Sequence, residues 1–212
     1  MAKECKCPIW GTPAHLLHDR DYVNNMTFNS PRAGGQFELT GMAEMHVERL
    51  DESGRLKLTT WIVDQNRWGN LPANVTPDVV KETHNERELS VPERGHRLVQ
   101  FLGQRLRQIG EDIQTAGAET ETIIRDNNAM LAWTESLEQS EVRFLTDMCA
   151  QEGLVEETRN GNGIRLTAKG YEFLDQLDQG NPDSHQAFIA MWFDKSLDEA
   201  YEKGFDLAIR QS

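Results

Sequence analysis

The segment Asn160-Gly-Asn-Gly163 constrains the fold of this chain more than any other stretch of its sequence. It separates two runs of strand-forming residues, 154–158 and 164–166. Asn-Gly pairs between such runs are the strongest short-range signal for a β-hairpin. Thr167 is placed to cap a helix over residues 168–177. The sequence therefore predicts an antiparallel hairpin that leads directly into a helix.

A second helix is predicted before the hairpin. Ser140 precedes an apolar face that ends at Gly153, and the face is formed by Val142, Leu145, Met148 and Cys149. A further short helix is predicted over residues 128–134. Helix, two-stranded wing and closing helix make a winged-helix arrangement over residues 126–178. The segment LVEETRNGNGIRLTAKGYEFLDQL also resembles the wing of many bacterial winged-helix proteins.

Charge argues against DNA binding by this module. Residues 137–178 contain nine acidic and four basic side chains, and the whole chain has a net charge of −13. Affinity for nucleic acid depends mainly on Lys and Arg side chains that neutralise phosphates. The densest basic group is interleaved with apolar residues and consists of Arg94, Arg97, Arg105 and Arg107. We therefore expect a structural or protein-contact role, and DNA binding is not expected on this charge balance.

Two segments near the N-terminus, 7–11 and 30–34, share the form X-Pro-x-X-Gly. Cysteines at positions 7, 10, 30 and 33 would form a zinc ribbon, in which tight turns aim four thiolates at one ion. Here Trp10, Ser30 and Ala33 occupy three of those positions. The pattern resembles a zinc ribbon that has lost its metal, so no metal site is predicted.

Two further points concern this N-terminal module. We expect apolar packing by Trp10, Phe37 and Leu39 to hold it together in place of a metal. A zinc site assembled from other ligands stays open as an alternative, and those ligands would be Cys5, Cys7, His15 and His18. Cys-x-Cys is poor geometry for a chelating turn, and the His-x2-His pair is expected in a surface turn.

The middle of the chain carries one strong helix signal, over residues 91–109. Ser90 is placed as the N-cap, and Pro92 falls in the first turn, where its missing N–H costs nothing. The apolar stripe that follows is formed by Leu98, Phe101, Leu102, Leu106 and Ile109. Residues 55–64 suit either a strand or a short helix, and residues 110–122 suit a linker.

The C-terminal part begins with the continuous apolar run 187–193, which is typical of a strand buried on both faces of a parallel sheet. An amphipathic helix is predicted after it, so the chain carries the first half of a βαβ unit and reaches Ser212 without a second strand. An unpaired strand leaves backbone donors and acceptors open. We therefore expect this strand to pair with a second copy of the chain or with a partner protein.

The segment HQAFIAMWFDKSLDEAYEKGFDLAIR, residues 185–210, resembles the opening of a TIR-like domain. The similar proteins are bacterial relatives of nucleoside 2-deoxyribosyltransferases, several of them associated with anti-phage defence. The segments CPIWGTPA, SPRAGGQF and LTTWIVDQ also resemble the region that precedes that domain. The resemblance implies a nucleotide or nicotinamide-ribose pocket with one rim formed by Met191, Trp192, Phe193 and Asp194.

The resemblance also implies that the catalytic glutamate belongs to a motif beyond the residues present here. Glu199 and Glu202 are expected on a solvated helix face. No catalytic residue, metal or cofactor is therefore predicted, and the chain alone is expected to be inactive. The expected function is the regulatory, sensing or oligomerising N-terminal part of a TIR-like effector that processes nucleotides or NAD. A stand-alone protein-interaction module is the alternative, and a winged-helix transcription regulator is less favoured.

The sequence thus predicts an α+β chain with a helical middle. Its predicted parts are a degenerate zinc-ribbon-like module (1–50), a mixed strand and helix region (51–125), a winged-helix-like module (126–178), a linker (179–186) and the first strand and helix of an incomplete TIR-like α/β domain (187–212). No run of 18 apolar residues predicts a membrane span. Three cysteines without a disulfide pattern, and no apolar leader, fit a reducing cytoplasm.

Overall fold

A computed structural model describes residues 3–19, 24–158 and 161–179 of the 212-residue chain. Within these ranges the fold is mixed α+β, as predicted, with seven α-helices and two β-sheets. The described residues up to Asp175 belong to one compact unit. The predicted strand 187–193, with the pocket residues expected on it, lies outside the described residues. None of the described helices combines the length and apolar composition needed to cross a membrane.

The first half of the structure builds a five-stranded sheet. Its strands are β1 (Lys3–Lys6), β2 (Pro13–His18), β3 (Met26–Ser30), β4 (Gly35–Leu39) and β5 (Ala73–Val75). Strands pair in chain order, antiparallel except for the parallel pair β4 and β5. A 3₁₀ turn, Pro31–Ala33, joins β3 to β4.

Three helices cover this sheet, and each begins at a capping side chain. They are α1 (Gly41–Glu48), α2 (Glu52–Arg67) and α3 (Pro77–Asn85). Thr40, Asp51 and Thr76 precede them, and each side chain accepts a hydrogen bond from the backbone N–H three residues later. The run 55–64, which suits a strand or a helix by composition, lies inside α2. Its cap and its apolar side chains at helical spacing outweigh the strand preference of its β-branched residues.

The first hydrophobic core lies between this sheet and its helices. It includes Ile9, Phe28, Phe37, Leu39, Val47, Leu58, Ile62, Val75 and Val80. The rings of Phe28 and Phe37 are stacked, with centroids 5.5 Å apart. Phe37 and Leu39 are fully buried and Trp10 packs against the same core, as predicted. Apolar burial of this kind is the main stabilising contribution to a small module.

The second half consists of four helices and a three-stranded sheet. Its elements are α4 (Val91–Arg105), β6 (Ile113–Gln114), α5 (Glu121–Trp133), α6 (Gln139–Gln151), β7 (Val155–Glu157), β8 (Gly163–Leu166) and α7 (Ala168–Gln179). The strands lie in the order β6-β8-β7, and β7 and β8 are antiparallel. The predicted hairpin is confirmed. The Thr167 hydroxyl accepts the N–H of Gly170, as expected of a helix cap.

Two predictions for this half were wrong in extent. Helix α4 ends at Arg105 rather than near 109, and Ile109 is 92% exposed. The carboxylate of Glu111 accepts the backbone N–H groups of Arg107 and Gln108, so these amides are satisfied in a turn instead of a helix.

The linker predicted over 110–122 is also more structured than expected. It contains strand β6, and α5 begins at Glu121, seven residues before the predicted start at 128. Thr120 caps α5 by accepting the N–H of Ile123. A strand of two residues is too short to show an alternating pattern. Its partner β8 lies about 50 residues away in the chain, so no local signal indicates the pairing either.

A second hydrophobic core lies between α4, α5, α6 and the small sheet. It includes Leu98, Val99, Phe101, Leu102, Met130, Val142, Leu145, Cys149, Leu154 and Ile164. Val142, Leu145 and Cys149 are buried, so the predicted inward face of α6 is confirmed. The two cores share no buried residue, and the chain therefore has to join them by other contacts.

Candidate functional site

The two cores are joined through residues 133–136, which we call the joint segment. It begins at Trp133, the last residue of α5, and Thr134, Glu135 and Ser136 are all buried. Three arginines donate to its backbone carbonyls. Arg32 Nη2 donates to the Ser136 carbonyl (3.0 Å), Arg94 Nε to the Thr134 carbonyl (2.8 Å) and Arg97 Nε to the Trp133 carbonyl (2.7 Å). Arginines from both halves of the structure thus donate to the joint segment.

Two of these arginines also form ion pairs. Arg97 Nη1 contacts both carboxylate oxygens of Asp64 on α2, at 2.8 and 3.1 Å. Arg94 Nη2 lies 3.0 Å from the Glu141 carboxylate on α6. Charge-assisted hydrogen bonds of this kind are stronger than neutral ones and fix orientation. The pair between Asp64 and Arg97 therefore links α2 to α4.

Glu135 has the least ordinary environment in the joint segment. Its φ is +50°, in the left-handed region that non-glycine residues seldom adopt. Its side chain accepts the Thr60 hydroxyl (2.7 Å) and the Leu89 N–H (2.8 Å), and the residue is only 5% exposed. Within the described ranges no Lys, Arg or His nitrogen lies within 4.0 Å of this carboxylate. The charge of Arg87 acts on this carboxylate only from a longer distance, so its desolvation cost is not offset by a direct ion pair.

The Glu135 carboxylate lies at the wall of a cavity of about 320 Å³, which we call the joint pocket. Its other principal walls are Lys57, Thr60, Trp61, Trp68 and Arg87. Trp68 is 60% exposed, so its indole is accessible from solvent. The pocket is therefore built by helix α2, the segment just before α4, and the joint segment.

The charged side chains of the joint pocket differ in how well they are compensated. Both carboxylate oxygens of Glu93 bond to the Arg87 guanidinium, and these bonds, with those from Ser90, hold the pKa of Glu93 well below its usual range. Lys57 Nζ donates to the backbone carbonyl of His84 at 3.3 Å. Asp64 is paired with Arg97. Glu135 is the lining carboxylate that is buried yet has no ion pair among the described residues.

The structure also places the residues of the two X-Pro-x-X-Gly segments. Arg32 lies with its guanidinium carbon 3.7 Å from the ring centroid of Trp10, so a cation from the second segment is stacked on an indole of the first. Cys7, Ser30 and Ala33 are buried nearby in the first core region. Burial lowers the pKa of Arg32 to about 10. Packing around this guanidinium occupies the region between the two X-Pro-x-X-Gly segments.

The alternative zinc ligands are not brought together. His15 and His18 lie on strand β2, not in a turn as expected, and Cys5 faces Ala14 across the β1–β2 pair. Among residues 3–19, 24–158 and 161–179, no group of three or more His, Cys, Asp or Glu side chains is arranged to hold a metal ion.

The residues of the joint pocket were not recognisable from sequence. Glu135 and Thr60 are 75 positions apart, and no local pattern links them. The useful signal would have been a helix ending in Thr-Glu-Ser without the glycine that usually takes the left-handed position there. Comparison of the chain with protein-family models, curated proteins and solved structures finds no match.

Proposed function

We propose that this chain is the regulatory, sensing part of a TIR-like effector that processes nucleotides or NAD, and that the joint pocket binds the ligand it senses. The sequence of residues 185–210 supports the TIR-like part of this proposal. The single observation that carries the sensing role is the position of the joint pocket. Its wall combines Trp61 on α2, which packs against the first core, with Glu135, which follows a helix of the second core.

A ligand in that position contacts both halves at once. A ligand shifts a conformational equilibrium only by as much as its affinity differs between the two states. Any change in how α2 packs against the joint segment alters the distance between Trp61 and Glu135, and so alters the affinity. Binding in the joint pocket is thereby linked to the relative arrangement of the two halves.

The fold of each half supports a regulatory rather than a DNA-reading role. The order α4-β6-α5-α6-β7-β8-α7, with sheet order β6-β8-β7, is compatible with a winged-helix-like module. The stacking of Arg32 on Trp10 is compatible with a ribbon-like module that needs no metal. Three arginines of the densest basic group face acidic partners, namely Glu141 for Arg94, Asp64 for Arg97 and Asp126 for Arg105. Phosphate binding would have to displace these carboxylates.

A stand-alone protein-interaction module is the second candidate, and an exposed aromatic side chain favours it. Phe144 on α6 is 60% exposed and lines a shallow groove with Val91 at the start of α4. Aromatic side chains that are anchored in such grooves often dominate protein interfaces. Under this candidate the surface of α6, rather than the joint pocket, is the functional site.

Thermal unfolding of the full chain with a panel of nucleotides, NAD, amino acids and diamines tests the proposal. A ligand of the joint pocket stabilises the folded state and raises the unfolding temperature. Trp68→Ala should abolish the shift, because the exposed indole is removed with little loss of core packing. Phe144→Ala is the matched control and should keep the shift.

Hydrogen exchange gives an independent reading of the same binding event. In the wild-type chain, the ligand should slow hydrogen exchange at the amides of α2 and of residues 86–89. The Trp68→Ala variant should show no such protection, because it no longer binds the ligand. If no compound of the panel gives a shift that Trp68→Ala removes, the sensing role of this pocket is wrong. If Phe144→Ala instead abolishes capture of a partner protein, the second candidate is favoured.

A further inference from the structure

We infer that the joint pocket binds a cationic ligand, an alkylammonium or guanidinium compound, with Glu135 as its counter-ion and Trp61 and Trp68 as its aromatic wall. This inference rests on the proposed function, because it names the ligand class of the pocket proposed above. It is carried by the arrangement of one buried carboxylate, two indoles and the charged groups that share the pocket with them.

The first step concerns the unused capacity of the Glu135 carboxylate. Its two oxygens accept one hydrogen bond each, from the Thr60 hydroxyl and the Leu89 N–H. An ionised carboxylate offers about four acceptor positions. A ligand N–H group can therefore bond to Glu135 without displacing either partner, and its positive charge would offset the desolvation of the carboxylate.

The second step concerns the backbone at this position. The N–H groups of Thr134 and Ser136 donate to the carbonyls of Met130 and Leu131, so Glu135 stands in the turn that ends α5. Glycine is the usual residue for a left-handed position in such a turn. A glutamate there is conformationally strained, and strained residues cluster at ligand-binding sites. With glutamate in this position, a carboxylate lies at the pocket wall, and a glycine would provide none.

The third step concerns the aromatic wall. Tryptophan attracts a cation over its ring face more strongly than the other aromatic side chains do. Trp61 and Trp68 are seven residues apart on and just after α2, and both line the joint pocket. An alkylammonium or guanidinium group at Glu135 thus has indole surface beside it for its methylene chain or its charge.

The fourth step weighs the two basic groups of the pocket. Arg87 is held by both oxygens of Glu93, and Lys57 donates to the His84 carbonyl, so neither forms an ion pair with Glu135. Glu86 adds a further carboxylate to the lining. An anionic ligand would have to approach Glu135 and Glu86. A cation competes with the Lys57 ammonium and with the longer-range charge of Arg87, whose guanidinium is already bonded to both oxygens of Glu93.

Calorimetric titration of the full chain with putrescine and with agmatine tests the inference, and 1,4-butanediol is the neutral analogue of putrescine. Both cations should bind, and butanediol should not. Glu135→Gln keeps the size of the side chain, and its carbonyl oxygen can still accept the Leu89 N–H while its amide donates to the Thr60 hydroxyl oxygen. This variant removes the charge and should weaken cation binding at least about tenfold. Asp147→Asn, which removes an exposed carboxylate of α6 outside this pocket, should leave the affinity unchanged.

Lys57→Met provides a second variant whose expected effect is a gain. Removal of the competing ammonium should tighten putrescine binding and should not create binding of butanediol. This arm stays informative even if Glu135→Gln unfolds, because the folded state of Lys57→Met can be checked by circular dichroism. An unchanged or weaker affinity in Lys57→Met would overturn the inference.

The other outcomes separate this inference from the function on which it rests. Glu135→Gln with wild-type affinity, or no binding of either cation at millimolar concentration, overturns the cationic ligand. If AMP or NAD then binds in a way that Trp68→Ala removes, the pocket still senses a ligand and only the ligand class is wrong. If none of the probes binds in a way that depends on Trp68, the sensing function fails as well.

Discussion

Gly34→Ala should be strongly destabilising, because this residue combines a left-handed backbone with a close approach to helix α2. Its φ is +88°, and a Cβ placed on it would lie 2.6 Å from Val63 Cγ2, 3.1 Å from the Val63 nitrogen and 3.3 Å from the Thr59 carbonyl oxygen. The turn that it ends is also fixed from the other side, since Asn66 Nδ2 donates to the Gly34 carbonyl at 3.0 Å.

The magnitude follows from two separable contributions. A left-handed backbone costs an L-residue roughly 1–2 kcal/mol. Forcing a methyl group into a packed region costs about 1–3 kcal/mol more. The expected loss in the free energy of unfolding is therefore about 2–5 kcal/mol, a large part of the stability of an ordinary domain.

Gly110→Ala is the matched control. Gly110 has a nearly equal φ of +81°, yet a Cβ placed on it would have no heavy atom within 4 Å beyond its chain neighbours. Urea unfolding of both variants can be followed by circular dichroism and fitted with one shared m-value. Gly34→Ala should lose about 1–3 kcal/mol more free energy of unfolding than Gly110→Ala, and the contact with Val63 accounts for this difference. Equal losses for the two variants would refute the close packing of residue 34 on α2.

Two further predictions concern the polar joint and the buried thiol. Arg97→Met should lower the free energy of unfolding by about 3 kcal/mol, because it leaves a partly buried Asp64 without its bidentate partner. Adding Asp64→Asn should recover part of that loss, which a double-mutant cycle in urea measures. Equal losses in the single and double variants would contradict this coupling. Burial raises the pKa of Cys149 from 9.0 to about 12, so the folded state keeps its proton while the unfolded state loses it, and stability should fall as pH rises from about 9 towards 12. Cys149→Ala should lessen that fall in urea midpoints measured on both sides of pH 9, and an identical fall in the variant would contradict the assignment.

The features predicted from sequence are those with a local physical signature. The sequence pattern Asn-Gly-Asn-Gly predicts a hairpin turn between two short strands, and these strands pair with Val155 opposite Leu166. Ser90 is the N-cap of α4, as predicted, and its N–H and hydroxyl donate to Glu93, a contact that was not predicted. Each of these signals acts within about six residues, so it is visible without knowledge of the fold.

The features that sequence could not supply depend on contacts between distant residues. Arg32 and Ser136 are 104 positions apart, and Arg97 and Asp64 are 33 apart. The apolar pattern of α4 predicts an inward face but cannot reveal that Arg97, on the same helix, is buried against another element. The end of α4 was misplaced for a related reason, since the Glu111 carboxylate competes for amides that the apolar pattern assigns to the helix.

The charge balance of the joint is the strongest reason to assign it a binding role. Arg32 and Glu135 are buried and opposite in charge, and both are anchored at the joint segment, yet they form no ion pair with each other. Arg32 is stacked on Trp10 and bonded to the Ser136 carbonyl, and Glu135 is held by Thr60 and the Leu89 N–H. A joint that served stability alone would gain by pairing the two charges or by replacing both with apolar side chains. Glu135 instead interacts with Arg87 only from beyond ion-pair distance, which leaves the carboxylate available to a cation from solution, as proposed above.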